Sequence, residues 1–281
     1  MKITWNNFCL DFSKKTHIMG ILNVTPDSFS DGGLHFDTSA AIDRALTMID
    51  EGADIIDIGG ESTRPGSEPV SREEELRRTI PLIEALARKV AVPLSIDTSK
   101  AEVARRALDA GASIVNDISG LRFDPEMVGV VSKYRVPVVI MHIKGNPKNM
   151  QANPVYEALI PEIMDHLRLS VRSAVKLGIP EDMIILDPGI GFGKTFEQNV
   201  EILNNLQEFT LLGRPLLVGP SRKAFLGKIL GGVPPSERVD GTAAAVAISI
   251  IKGADIVRVH DVKIMTEVAK VADAIKRETI P

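Results

Sequence analysis

Cysteine is almost missing from this chain. Cys9 stands alone among 281 residues, so no internal disulfide can form and a reducing compartment is expected. Long apolar runs are missing as well: the longest nearly apolar stretch, residues 243–251, is far too short to span a bilayer. Residues 1–15 mix Asn, Asp and Lys with isolated apolar side chains and lack the apolar core of a signal peptide. There is no basic excess. With 33 Lys and Arg against 37 Asp and Glu the net charge is −4, which argues against affinity built on neutralising nucleic-acid phosphates. The five histidines are scattered, and no Cys or His spacing suits zinc. These absences lead to the expectation of a soluble, cytoplasmic protein with no membrane and no nucleic-acid partner. Small anionic ligands stay open, because a local group of Arg and Lys can act against the overall sign.

What the sequence does have is a repeated punctuation. Short apolar runs each end in a polar or charged cluster, and an amphipathic stretch follows before the next run. Eight occur: 17–22 into Asn23, 54–58 into the cluster 59–64, 94–96 into Asp97, 113–115 into Asn116-Asp117, 137–141 into His142, 184–186 into Asp187, 216–218 into Ser221-Arg222-Lys223, and 256–259 into His260. Val-, Ile- and Leu-rich strands alternating with helices imply an α/β fold with a parallel sheet, and eight units close a (β/α)8 TIM barrel. Such barrels take about 250 residues, so residues 1–281, 44% hydrophobic, are expected to form one domain without a linker. Residues 3–5 and 8–12, split by Asn6-Asn7, read as a short N-terminal β-hairpin within residues 1–15 that caps the barrel bottom. A first helix from about Ser39 presents Ile42, Ala45, Leu46 and Ile49 on one face, and a second presents Leu76, Ile80, Ile83 and Ala87. Capping boxes are expected at Ser71 with Glu74, Ser99 with Glu102 and Thr195 with Gln198, and an Asp124 cap with Pro125 at the first helical position.

In such a barrel the carboxyl ends of the strands form the active face, so the polar clusters converge on one rim. Two connections there exceed the usual short loops. Residues 23–38 and 59–70, rich in Gly, Pro, Ser and Asp, read as mobile lids over a substrate. Asp97, Asn116 and Asp187 end three strands inside the mouth, where a carboxylate without a partner carries a large desolvation penalty. A flat ring with adjacent N–H groups, such as an amino-oxo pyrimidine, would supply the donors; an Arg or backbone amides within the fold would serve equally. Arg64, Arg258 and His260, beside Asn23 and Thr63, suit a phosphate, and Asn23 could offer a carbonyl oxygen to Mg²⁺. Lys223 is either an electrostatic partner for a carbonyl oxygen or the amine of a Schiff base. The run 189–195 is not a P-loop, since Pro188 occupies the position of its first glycine. It reads as a backbone kept bare for a flat ring to pack on, with Phe192 as a wall.

Over nearly its full length the chain resembles the dihydropteroate synthases of folate biosynthesis, a pterin-binding family. The resemblance rests on Met19-Gly20-Ile21-Leu22-Asn23-Val24-Thr25-Pro26-Asp27-Ser28-Phe29-Ser30-Asp31-Gly32-Gly33 and on Asp57-Ile58-Gly59-Gly60-Glu61-Ser62-Thr63-Arg64-Pro65-Gly66. Ser95-Ile96-Asp97-Thr98, Asn116-Asp117-Ile118, Met141-His142, Asp187-Pro188-Gly189-Ile190-Gly191-Phe192-Gly193-Lys194, Ser221-Arg222-Lys223 and Arg258-Val259-His260-Asp261-Val262 complete it. It implies a transferase that condenses 6-hydroxymethyl-7,8-dihydropterin diphosphate with 4-aminobenzoate to 7,8-dihydropteroate and diphosphate. By the same resemblance Asp97, Asn116, Asp187 and Lys223 would hold the pterin, Asn23 would carry Mg²⁺, and Thr63, Arg64, Arg258 and His260 would bind the diphosphate. Thr63, Pro65, Phe29 and Ser221 would lie near 4-aminobenzoate, and Asp97, Lys223, Arg258 and His260 would carry the catalysis. It also implies a homodimer and a target of sulfonamides, which mimic 4-aminobenzoate.

The chain departs from the family pattern at Ala224, where many relatives have a second serine, at Lys144, where Arg is frequent, and at Ser99, where Tyr is common. Other functions stay open at this point. A pterin-binding methyltransferase on the related barrel would share the Asp-Asn-Asp site but need no diphosphate cluster. A lyase using Lys223 as a Schiff base and a non-catalytic pterin-binding protein are the others.

Overall fold

The computed structural model describes residues 1–24, 38–63 and 66–279. Within them the apolar runs become strands: β1 (Lys2–Trp5) and β2 (Phe8–Asp11), then β3 (His17–Asn23), β4 (Ile55–Gly59), β5 (Leu94–Asp97), β6 (Ile114–Asp117), β7 (Val138–Met141), β8 (Ile184–Asp187), β9 (Leu217–Val218) and β10 (Ile256–Val259). The last eight are parallel neighbours in the order β8-β7-β6-β5-β4-β3-β10-β9. One bridge, Leu186 with Leu216, joins β8 to β9 and nearly closes the barrel. β9 has only two residues, because Pro215 and Pro220 bracket it and proline cannot donate to a ladder. Strands β4 to β8 are buried at every position, as a sheet with helices outside and a packed interior requires. Each fully buried Val, Leu or Ile contributes roughly 1.5–3 kcal/mol, so these runs dominate the stability of the sheet.

The expected hairpin is β1 paired antiparallel with β2. Its Ile3, Trp5 and Leu10, with Phe12 just beyond, join the hydrophobic core. Phe12 meets His17 edge-on, ring centroids 5.4 Å apart, at the amino end of β3 and so at the face opposite the polar rim.

The helices are α1 (Thr38–Asp50), α2 (Arg72–Ala87), α3 (Ala101–Asp109), α4 (Met127–Tyr134), α5 (Leu159–Lys176), α6 (Phe196–Asn204), α7 (Ala224–Ile229), α8 (Val239–Ile251) and α9 (Val262–Arg277). Their buried faces are turned slightly from the expected ones. In α1 the face centres on Ala41, Ala45 and Met48, and in α2 on Glu75, Thr79, Leu82, Ile83 and Leu86, leaving Ala87 exposed. The Thr195/Gln198 capping box is present in full, and Ser71 accepts from the backbone N–H of Glu74. Glu74 does not complete a box, because its carboxylate binds Arg77 and Arg78. The Ser99/Glu102 box is not formed. Lys100 holds the cap position of α3, and Asp124 Oδ2 accepts the Ala101 N–H at 2.8 Å from the next connection. Asp124 does cap its own turn, Oδ1 accepting the Glu126 N–H at 3.0 Å, although α4 itself starts two residues after Pro125. A third long connection, residues 142–158, joins the two that were expected; residues 25–37 of the first lie outside the described residues.

Candidate active site

A line of charges crosses the barrel mouth. Asp57, in the middle of β4, is completely buried; its Oδ2 accepts Arg258 Nε at 2.6 Å and Asn116 Nδ2 at 3.0 Å. Arg258 Nη2 donates to Asp97 Oδ2 at 2.7 Å. One guanidinium therefore serves two carboxylates. Burial pushes the Asp97 carboxyl up to about 7, with Arg258 pulling it down and Asp57 adding to the rise. Asp187 accepts the Gly189 N–H at 2.6 Å, yet burial still lifts it to about 6. Parallel register sets Asn23 beside Gly59 and Gly59 beside Asp97. A side chain on Gly59 would start 3.6 Å from both Asn23 Oδ1 and Asp97 Oδ2, so glycine there leaves open a gap that both oxygens border.

The cluster after β9 is held by its central residue. Arg222, at φ +56°, donates to Asp261 at 3.0 and 2.5 Å through Nε and Nη2, and its own N–H goes to Thr242 Oγ1 at 3.0 Å. Ser221 and Lys223 are thereby left for the mouth. Ser221 Oγ lies 2.9 Å from His260 Nδ1 and accepts the His260 backbone N–H at 3.2 Å. Burial, then the neighbouring Arg258, lowers His260 to about 3, so its ring is neutral at physiological pH. Lys223 Nζ stands 4.2 Å from the centre of the Phe192 ring; burial, then Arg258, lowers it to about 8.

The glycine-rich run is bare for a steric reason besides the one expected. Gly189 has φ +74°, and a Cβ on it would lie 1.9 Å from the His142 carbonyl oxygen; one on Gly191, at φ +83°, would lie 2.9 Å from Lys223 Cδ. The missing side chains make room for the chain itself. Phe192 does line a cavity of about 570 Å³, together with Asn23, Thr63, Asp97, Ser221, Lys223, Arg258 and His260. A smaller one of about 290 Å³ adjoins it, sharing Thr63 and Asp97, and beside it Lys100 bridges Glu61 and the buried Glu75, the latter at 2.6 Å. Among the described residues no group of three or more His, Cys, Asp or Glu is placed to hold a metal ion.

Residues 19–260 match the pterin binding enzyme family. The chain is 55% identical over 267 residues to the dihydropteroate synthase of Synechocystis sp., across 95% of this chain and 92% of that protein. The chain belongs to the dihydropteroate synthase family. It superposes on the Yersinia pestis dihydropteroate synthase in complex with a sulfonamide drug with a TM-score of 0.93 and 45% identity, covering 99% of this chain and 100% of the other. The Xanthomonas albilineans dihydropteroate synthase with 4-aminobenzoic acid gives a TM-score of 0.92 and 42% identity, covering 100% and 99%.

Of the positions that a dihydropteroate synthase implies, the structure brings seven to one cavity, with Phe192 beside them, while Asn116 and Asp187 are buried and do not line it. Phe29, Arg64 and Pro65 lie outside the described residues. Two buried groups were not anticipated. Asp57 stood in plain view as the one carboxylate inside the run 55–58, a place where only a partnered charge is stable. Lys194, 1% exposed, is bound to His142; it closes the motif 187–194, but nothing in the sequence marks it as buried.

Proposed function

We propose that this chain condenses 6-hydroxymethyl-7,8-dihydropterin diphosphate with 4-aminobenzoate, giving 7,8-dihydropteroate and diphosphate. The observation that carries the reading is a single cavity lined both by groups suited to a pterin ring, Asp97, Lys223 and Phe192, and by donors suited to an oxyanion, Arg258, His260 and Thr63. The bond from the exocyclic carbon to the diphosphate oxygen breaks, its electron pair leaving with the diphosphate, and the arylamine nitrogen attacks that carbon and sheds a proton. Asp97 stabilises positive charge on the ring as the bond opens, and Lys223 donates to the ring carbonyl. Asn116 gives Nδ2 to Asp57 and so offers Oδ1 to a ring N–H. His260, neutral with Ser221 at Nδ1, offers its Nε2–H to a diphosphate oxygen. These contacts strengthen as leaving-group charge grows, which is where binding accelerates chemistry. No protein nucleophile takes part.

Asn23 Oδ1 is the proposed protein ligand of Mg²⁺. One neutral amide oxygen beside the open gap at Gly59 fits an ion that keeps its waters and takes its remaining oxygens from a substrate diphosphate. When bound, the ion supplies neutralisation of the departing diphosphate. We further propose a homodimer, supported by the exposed Ile248 and Ile251 of α8 and Ile264, Val271 and Ile275 of α9, and a cytoplasmic location, supported by the free Cys9. Among the described residues no helix is long and apolar enough to cross a membrane.

The test is diphosphate release from the pterin diphosphate, with and without Mg²⁺, in the wild type and in Asp97→Asn. Mg²⁺-dependent release that collapses in the variant supports the proposal. Tight pterin binding with no release under any condition would move the protein to the methyltransferase or binding reading.

A further inference from the structure

Three consecutive carbonyl groups after β8 are each held by a different side chain. Gly191 O accepts from Gln151 Nε2 at 2.9 Å, Phe192 O from Lys194 Nζ at 2.9 Å, and Gly193 O from Tyr156 Oη at 2.7 Å. The Gly191 N–H is taken too, donating to Asn199 Oδ1 at 2.6 Å. Gln151 and Tyr156 belong to the connection 142–158, which contains neither helix nor strand. Lys194 is buried and among the described residues forms no ion pair; its Nζ also meets His142 Nδ1 at 2.9 Å and His142 O at 3.2 Å. Burying an amine is unfavourable unless hydrogen bonds replace its water, and here three acceptors do so. Burial also holds the Lys194 pKa well below the ordinary lysine value. What these bonds fix is the stretch of backbone that carries the Phe192 ring over Lys223.

We infer that Gln151, Lys194 and Tyr156 are positioning residues for pterin recognition, fixing the peptide run 191–193 so that Phe192 forms its wall before the substrate arrives. The inference rests on the reading of this cavity as a pterin site. A wall already in place loses less conformational freedom on binding, so the benefit falls on affinity for the ring and spares the arylamine. The connection 142–158 thus acts as a brace for the glycine-rich run.

Tyr156→Phe, Gln151→Ala and Lys194→Met test this, with melting temperature and near-ultraviolet circular dichroism to establish folding. Titration calorimetry with 6-hydroxymethylpterin, which carries no diphosphate, should give affinities about three- to tenfold weaker for the first two, the worth of one hydrogen bond. Lys194→Met should lose at least as much. The KM for 4-aminobenzoate should stay within about twofold, and in a Phe192→Ala background each effect should shrink below about twofold, as coupled positions require. Folded Tyr156→Phe and Gln151→Ala proteins that bind the pterin as tightly as wild type would overturn the inference, as would losses undiminished by Phe192→Ala. Those two variants decide the matter alone if Lys194→Met does not fold. A wild-type protein without affinity for the pterin would remove the underlying reading and the inference with it, a result distinct from variants that match a binding wild type.

Discussion

Replacing Asp97 with Asn should stop turnover and yet shift stability in the variant's favour as pH rises. Asp97 is 7% exposed and shares the Arg258 guanidinium with Asp57. Burial sets its pKa at about 7 in the folded protein, against 3.8 for an ordinary aspartate. A carboxyl with a raised pKa holds its proton more tightly folded than unfolded. Its contribution to stability is therefore complete below pH 4 and is lost as pH climbs through 7, at about 1.4 kcal/mol per pH unit. Between pH 5 and pH 8 the wild type should lose stability from this group, on the order of 2 kcal/mol, and the variant, with no charge to bury there, should not. Urea unfolding of both proteins at the two pH values measures it. A stability difference that stays constant to within about 0.5 kcal/mol, or that moves toward the wild type at pH 8, would refute the reasoning.

Three other expectations follow from the same geometry. Lys223 loses its ammonium charge above about pH 8, so wild-type affinity for 6-hydroxymethylpterin should weaken between pH 7 and 9, and Lys223→Met should lack that slope; a variant that keeps it takes Lys223 out of ring recognition. Gly189→Ala forces a left-handed residue and a Cβ into the His142 carbonyl, so its melting temperature should drop by an amount equivalent to at least about 2 kcal/mol; wild-type stability would contradict the contact. Removing divalent ions with EDTA should stop diphosphate release while leaving 6-hydroxymethylpterin affinity unchanged in calorimetry; loss of both would place the metal at the ring.

The barrel was legible because its strands are nearly continuous apolar runs that stop at a polar residue, a pattern set by burial on both faces. Asp97, Asn116 and Asp187 could be picked out for the same reason, as could the hydroxyl and cationic residues after β9 and β10. What was hidden depends on contacts between distant segments. The cap of α3 comes from Asp124, in the connection after the following strand, so the local Ser99 signal misled. Arg258 reads as a free cation for phosphate, but Asp57, 201 residues away, and Asp97 hold its Nε and Nη2, so, among the described residues, only Nη1 is left for an oxyanion. Lys194 resembles any surface lysine until His142 and the Phe192 carbonyl surround it. The connection 142–158 carries loop residues, Gly145, Asn146 and Pro147, but its packing of Ile143 and Met150 with Ile118 and Met141 in a small cluster of their own joins segments that no local pattern relates.

The most direct test of the central claim is to incubate the purified protein with the pterin diphosphate, 4-aminobenzoate and Mg²⁺, and to count both products by mass spectrometry and a coupled diphosphate assay. 7,8-Dihydropteroate and diphosphate are expected in equal amounts, neither forming without Mg²⁺. Diphosphate released with no dihydropteroate, or no release at all from a protein that binds the pterin, would contradict it.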